Sequence, residues 1–234
     1  MHDDIANLID PSQIVEQAVR RFGSKITLSC SFGGAGGMVL LDLAYRVDPS
    51  IDVFVLDTDF LFDDTYQLID RVEARYGIKV RRLKSALTPL QQATVHGETL
   101  WAHPPDLGCN LRKDQPMRAG VKGFDAWMTA IRRDQSRTRE AAQVIDWDEA
   151  FGLWKLCPLV HWSEDRVMQY AKDHDLLLNP LLFEGYTSIG CTHCTRKPTT
   201  DDARSGRWAG FAQAECGLHA RPTRGLDRHV AEGS

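Results

Sequence analysis

Along the first half of the chain, short apolar runs alternate with stretches in which apolar residues recur every three or four positions, and the two periods predict alternating strands and helices. Asp10-Pro11 supplies a cap followed by proline at the first helical position, so a helix is expected to run to about Phe22 and to stop at Gly23. Lys25 to Ser29 (KITLS) reads as a strand, Ser31 to Gly37 (SFGGAGG) as a glycine-rich turn, and Met38 to Tyr45 as a helix. Ile51 to Leu56 (IDVFVL) reads as a buried strand, Asp64 to Tyr76 as an amphipathic helix closed by Gly77, and Ile78 to Leu83 as a third strand. A further helix begins near Pro89. Strand–turn–helix units at this spacing predict an α/β fold, a parallel twisted sheet flanked by helices. In such sheets ligands bind outside the carboxyl ends of the strands.

The second half is less regular. Phe124 to Arg132 (FDAWMTAIR) reads as a strand, and Ser163 is placed to cap a helix reaching about His174. After Gly185 the chain becomes turn-rich. No repeat, low-complexity segment or firm linker breaks it, so one domain over residues 1–208 is expected, followed by a mobile C-terminal tail over 209–234.

Composition narrows the class. The chain has 234 residues, 43% hydrophobic and 26% charged, with a formal net charge of −4. That apolar content excludes disorder as the main state. No apolar run approaches the ~20 residues of a membrane span. The acidic start, MHDDIANLID, lacks the basic-then-apolar order of a signal peptide, which points to the cytoplasm. There the six cysteines read first as metal ligands or redox residues rather than disulfides. Charge is unevenly spread: residues 1–75 hold 13 acidic and 6 basic side chains, whereas 109–139 hold 8 basic and 3 acidic. A basic middle in an acidic protein suggests an anionic ligand held locally rather than a nucleic acid bound over a broad face. A solvated charged helix is the plainer alternative.

The glycine-rich turn between a strand and a helix could let backbone N–H groups approach a phosphate or ribose. It lacks a Gly-Lys-Ser/Thr ending, and a merely tight turn is the competing reading. Leu56-Asp57-Thr58-Asp59 closes the second strand at the same edge, where its polar side chains could bind ribose or base, or cap the next helix. Cys191-Thr192-His193-Cys194 is the strongest local signal, because two thiolates at this spacing chelate one metal or one cluster edge. A thioredoxin-like redox pair and a structural zinc site compete with that reading, and the surrounding Gly185, Gly190 and Pro198 favour ligation. Cys109 lies in the basic stretch beside Arg112 and Lys113. Cys216, in Glu215-Cys216-Gly217-Leu218-His219, is either an activated nucleophile or an idle thiol. Cys30 and Cys157 sit in apolar runs and read as core, and His2, His96, His103, His161 and His174 read as surface or satisfied groups.

Taken together these segments resemble the assimilatory adenylyl-sulfate/phosphoadenylyl-sulfate reductase family, iron–sulfur type. The resemblance runs from SFGGAGG through Leu56-Asp57-Thr58, Cys109-Asn110-Leu111-Arg112-Lys113 and Glu184 to Pro198, then Arg204 to Trp208 and ECGLH. It implies an adenine nucleotide α-hydrolase-like fold. It implies thioredoxin-dependent reduction of adenosine 5′-phosphosulfate (APS) to sulfite and AMP through an S-sulfocysteine, with the 3′-phosphorylated form (PAPS) as alternative substrate. Carried over, Cys216 is the nucleophile. Lys113, Arg204 and Arg207 match positions that hold the phosphosulfate, with Arg112 and His219 as helpers, and Ser31, Gly33, Gly34 and Leu56 match the adenosine edge. Cys109, Cys191 and Cys194 match ligands of a [4Fe–4S] cluster.

The pattern breaks at one ligand. Cluster-containing members carry two adjacent cysteines where this chain has Gly108-Cys109. Three thiolates could hold a [4Fe–4S] cluster with a non-protein fourth ligand, a [3Fe–4S] cluster or zinc. Lesser departures are Gly36-Gly37, where acidic residues are frequent, and Asp59, where glycine is common. Two rival classes remain for comparison. A tRNA-thiolating enzyme would want a Ser-Gly-Gly-x-Asp-Ser loop and a broad basic surface, and a zinc-stapled binding module leaves ECGLH unexplained.

Overall fold

In the computed structural model of the chain, residues 3–100, 105–200 and 204–207 are described. The expected tail, with Cys216 and His219, lies outside them. Six strands form one sheet in the order β3-β2-β1-β4-β6-β5. They are β1 (Ile26–Ser29), β2 (Asp52–Asp57), β3 (Val80–Lys84), β4 (Ala126–Met128), β5 (Ile145–Asp148) and β6 (Leu153–Leu156). All neighbours pair in parallel except β5 with β6, which is antiparallel. Neighbouring strands β1 and β4 are the point where the order reverses, the usual position of a ligand crevice in such sheets.

Alternation along each strand divides the interior in two. Ile26 and Leu28, Val53 and Val55, and Ala126 and Met128 face the larger core. That core also holds apolar residues of the helices α2 (Pro11–Phe22), α3 (Ala35–Val47), α4 (Asp63–Tyr76) and α8 (Glu164–Asp173). Phe54 and Trp127 point the other way, into a smaller cluster with Met117, Val121 and Leu153. Against it pack Cys109 and Cys194, so two of the three expected ligands share one apolar floor.

The helix ends follow local chemistry. Asp10 accepts a hydrogen bond from the Gln13 amide at 3.0 Å, Pro11 begins α2, and Gly23, at φ 52°, ends it. Before it, α1 (Asp3–Ala6) is a brief turn, and α5 (Pro89–His96) opens on a Thr88–Gln91 capping box. Helix α3 starts at Ala35, earlier than Met38, because Gly36 and Gly37 belong to the helix and allow close packing. A Cβ at Gly37 would stand 3.1 Å from the Cys30 sulfur. The strand expected over 124–132 is cut to β4 because Thr129 onward leaves the sheet to line a cavity.

Two features escape the pattern reading. Strands β5 and β6 carry the adjacent pairs Asp146-Trp147, exposed, and Trp154-Lys155, half-buried, so neither a continuous apolar run nor a clean alternation marks them. The stretch Pro105–Gly120 is helical, as α6 (Pro105–Cys109), a π-helical turn (Asn110–Asp114) and α7 (Gln115–Gly120). Pro116 and three glycines or prolines nearby hide it, since propensity there is poor.

Candidate active site at the carboxyl edge of the sheet

At the β1/β4 reversal a cavity of about 240 Å³ opens. One wall is the turn after β1, with Ser31, Gly34, Ala35 and Gly36, and a second is Thr129 to Arg132 after β4. Leu56 and Thr58 come from the end of β2, and Thr187 to Cys191 from the turn-rich segment. Five cations (Lys113, Arg132, Arg139, Arg204, Arg207) and one carboxylate (Glu164) line it. Arg132 is paired with Asp134 and Glu164, and in a protein of net charge −4 the remaining concentration of cations suits an anionic ligand.

The turn is held in an uncommon conformation. Phe32 is buried with φ 54°, a left-handed backbone that a bulky residue rarely adopts. Buried Asn179 donates to the Phe32 carbonyl at 3.1 Å and to Thr65 Oγ1 at 3.0 Å, tying the turn to α4. Gly33 does not line the cavity. Its missing side chain makes room for the 189 loop, since a Cβ there would lie 2.4 Å from the Ile189 carbonyl oxygen.

Cations cluster at the CxxC end. Arg207 donates to Cys194 Sγ and to Ser188 Oγ, both at 3.4 Å, and Arg204 donates to the same serine at 3.4 Å. Gly190 is the reason Arg207 fits: a Cβ at 190 would stand 2.5 Å from its guanidinium. The short pairing Thr195–Arg207 brings residues 204–207 back beside the loop, and Gly206 lets them approach the Arg196 carbonyl. The two thiols of the CxxC are shifted in opposite directions. A hydrogen bond from Cys191, then the charges of Arg207 and Lys113, pull the Cys194 thiol below the ordinary range, while the same hydrogen bond and burial push Cys191 up. Cys30 and Cys157 are pushed by burial up to about 12 and about 11, as inert core thiols should be.

The Asp57–Leu61 turn after β2 ties the pieces together. Thr58 Oγ1 lies 3.2 Å from Cys191 Sγ, the Thr192 amide donates to the Phe60 carbonyl at 2.8 Å, and the Phe60 and His193 rings sit 4.6 Å apart. From the other side comes Arg112, buried in the π-helical turn. Its Nε donates to Gln92 at 2.7 Å and its Nη1 to Asp59 at 2.7 Å, and the guanidinium covers the Phe60 ring. Arg112 therefore faces this turn rather than the cavity, whereas its neighbour Lys113 lines the cavity.

Of the residues singled out in the sequence, Ser31, Gly34, Leu56, Lys113, Cys191, Arg204 and Arg207 come together at the cavity. Gly33 and Arg112 support it from behind, and Cys109 and Cys194 meet on the smaller cluster. Cys216 and His219 fall outside the described residues. Arg132, Arg139, Gln135 and Glu164 were missed as lining residues. The charged pair Arg132-Arg133, four residues beyond the end of β4, was the available signal.

As a donor set, Cys109 and Cys194 on one apolar floor, with Cys191 on the cavity side of the same CxxC loop, have the soft thiolate chemistry that suits sulfur-ligated iron. Among the described residues no three His, Cys, Asp or Glu side chains lie close enough to hold a lone metal ion. Nothing in the helix requires glycine at 108, because a Cβ there would meet no described heavy atom nearer than the Leu100 carbonyl oxygen at 4.0 Å.

Comparison with known proteins bears on the fold and the family. The profile of the phosphoadenosine phosphosulfate reductase domain matches residues 25–197. A protein of Halalkalibacterium halodurans named adenosine 5′-phosphosulfate reductase is 43% identical over 212 residues, 90% of this chain and 91% of its own. Among solved structures, a phosphoadenylyl-sulfate reductase from Candida auris in a phosphate complex superposes with a TM-score of 0.72 at 30% identity, covering 83% of this chain and 94% of that one. The FMN adenylyltransferase of Candida glabrata shares the fold, with a TM-score of 0.58 at 16% identity over 84% of this chain and 66% of its own.

Proposed function

The chain belongs to the phosphoadenosine phosphosulfate reductase family, and on that premise we propose that it reduces APS to sulfite and AMP with a thioredoxin-type dithiol as electron donor. The observation that carries this reading is the cavity itself, with a glycine turn at one end and Lys113, Arg204 and Arg207 beside the CxxC at the other. Adenosine is assigned to the edge formed by Ser31, Gly34 and Leu56, and the phosphosulfate to the three cations. A reaction that runs on free thiols fits a reducing, cytoplasmic setting.

In the proposed cycle the thiolate of Cys216 attacks the sulfate sulfur, and the bond from that sulfur to the bridging oxygen breaks. AMP leaves with the electron pair and Cys216 becomes an S-sulfocysteine. A donor thiolate then attacks the Cys216 sulfur. Sulfite departs with the electrons of the sulfur–sulfur bond, and a mixed disulfide forms. The donor's second thiol resolves it, leaving the donor oxidised by two electrons and Cys216 as thiolate. Lys113, Arg204 and Arg207 stabilise the charge gathering on the departing phosphate, in a site whose donors are already in place. His219 is assigned as a helper from the same segment as Cys216.

We assign Cys109, Cys191 and Cys194 as three protein ligands of a [4Fe–4S] cluster. Bound there, the cluster supplies a rigid joint between the CxxC loop and the helix carrying Lys113, and the reducing electrons come from the donor dithiol. Substrate choice favours APS because the 43% identical relative bears that name, whereas the 30% identical structure is named for PAPS.

The test is anaerobic sulfite release with thioredoxin, comparing APS and PAPS at equal low concentration, with Cys216→Ser as control. Turnover of APS that vanishes in the serine variant is expected. Preference for PAPS would move the enzyme to the alternative substrate, and no sulfite from either would overturn the reading.

A further inference from the structure

Asp59 sits in the left-handed region with φ 61°, a conformation that glycine takes freely and aspartate or asparagine takes more readily than most other residues. A local hydrogen bond, from its own amide to Asp57 Oδ1 at 3.0 Å, helps to hold it there. The unusual backbone delivers a carboxylate to two cations at once: Oδ2 lies 2.7 Å from Arg112 Nη1, and Oδ1 lies 2.6 Å from Lys84 Nζ. Arg112 is 3% exposed, so its partner is fixed by burial rather than chosen from solvent.

Arg112 lies in the middle of the π-helical turn Asn110–Asp114. A π-helical turn admits an extra residue and shifts the angular phase of the side chains that follow. Here the outcome is that Arg112 turns toward the β2 turn while the adjacent Lys113 reaches the cavity. The same β2 turn holds the CxxC loop, through Thr58 on Cys191 and Phe60 on Thr192.

We propose that Asp59 is a positioning residue, acting through Arg112 and the π-helical turn to aim the Lys113 ammonium at the 5′-phosphate subsite. Asp59 touches no part of that subsite itself. This inference rests on the reading of Lys113 as a phosphate-binding cation, and the experiment separates the two.

Binding of AMP and of adenosine is measured calorimetrically for the full chain, for Asp59→Asn, for Lys113→Ala and for the double variant. Asparagine tolerates the backbone and loses the charge. Asp59→Asn is expected to weaken AMP about 5–10-fold and adenosine less than twofold, and to have almost no further effect on AMP once Lys113 is alanine. Arg112→Lys, which keeps the charge and loses the planar fork, is the second variant and is expected to show the same AMP-selective loss. In parallel, an amine-acylating reagent is applied and each lysine is read by mass spectrometry. Lys113 is expected to change its labelling rate at least threefold in Asp59→Asn while Lys122 and Lys172 do not.

Equal weakening of AMP and adenosine would reduce Asp59 to a structural role and overturn the proposal. So would an undiminished AMP loss in the Lys113→Ala background, or unchanged Lys113 labelling. If the parent chain bound AMP no better than adenosine, the phosphate reading of Lys113 would fall, and the labelling would still decide whether Asp59 positions it.

Discussion

Gly108 is the position where a substitution should improve on the natural residue. It lies in helical backbone, and an added Cβ would approach the Leu100 carbonyl oxygen no closer than 4.0 Å, an ordinary contact. Glycine inside a helix costs roughly 0.5–1 kcal/mol relative to alanine, through the freedom it loses on folding. Gly108→Ala should therefore stabilise the chain by about that amount, which for a protein of this size raises Tm by ~1–4 °C. Gly108→Cys gains a smaller part of that helix term and adds a fourth thiol beside Cys109. Since losing a hydrogen bond to a metal ligand costs ~10–100-fold in affinity, a new thiolate on the proposed cluster should slow iron loss by a factor of that order. The assay is anaerobic reconstitution, iron and sulfide counts per chain, and the rate of iron release to a chelator, with Gly108→Ala as the steric control. Faster melting of Gly108→Ala would show that the position is not open. Equal iron release from the alanine and cysteine variants would refute a fourth ligand at 108.

Three other outcomes follow from the same geometry. Gly190→Ala places a Cβ 2.5 Å from the Arg207 guanidinium and should displace it, raising KM for APS while Tm changes little; an unchanged KM would refute the cradle. Gly33→Ala meets a backbone carbonyl, which cannot swing away, at 2.4 Å; a loss of about 1–3 kcal/mol is expected by urea denaturation, and a loss below ~0.5 kcal/mol would contradict the close approach. Asp57 is pushed upward by burial, but hydrogen bonds from Tyr66, the Asp59 amide and Lys84 outweigh this and hold it below its ordinary value. Its folded pKa is the lower one, so its stabilisation is complete above ~3.9 and drains away as pH falls further. Urea titrations of the parent and Asp57→Asn should differ by a constant amount above about pH 5 and converge below ~3.9, and a gap that grew on acidification would refute the assignment.

Much of this protein was legible from its residues. The parallel sheet, the glycine turn after β1 and the helix bounded by Asp10-Pro11 and Gly23 follow from period and capping, which are local properties. The three cations were legible only through the family resemblance, since charge patterning placed Lys113 alone in a basic stretch and gave no sign of Arg204 or Arg207. Three things needed the folded chain. Arg112 and Lys113 are adjacent in sequence, yet a π-helical turn sends one to the β2 turn and the other to the cavity. Asp59 showed in the sequence only as a departure where glycine is common, and the structure shows it neutralised by Arg112 and Lys84 across 53 and 25 residues. Gly33 and Gly190 read alike as turn residues and Gly206 drew no reading, but each is needed because a particular distant atom, in the 189 loop, in Arg207 or in Arg196, approaches closer than a Cβ allows. Local sequence encodes the elements because helix and strand periods and caps span a few residues. Which side chains share a site depends on contacts between distant segments, and those exist only once the core has closed.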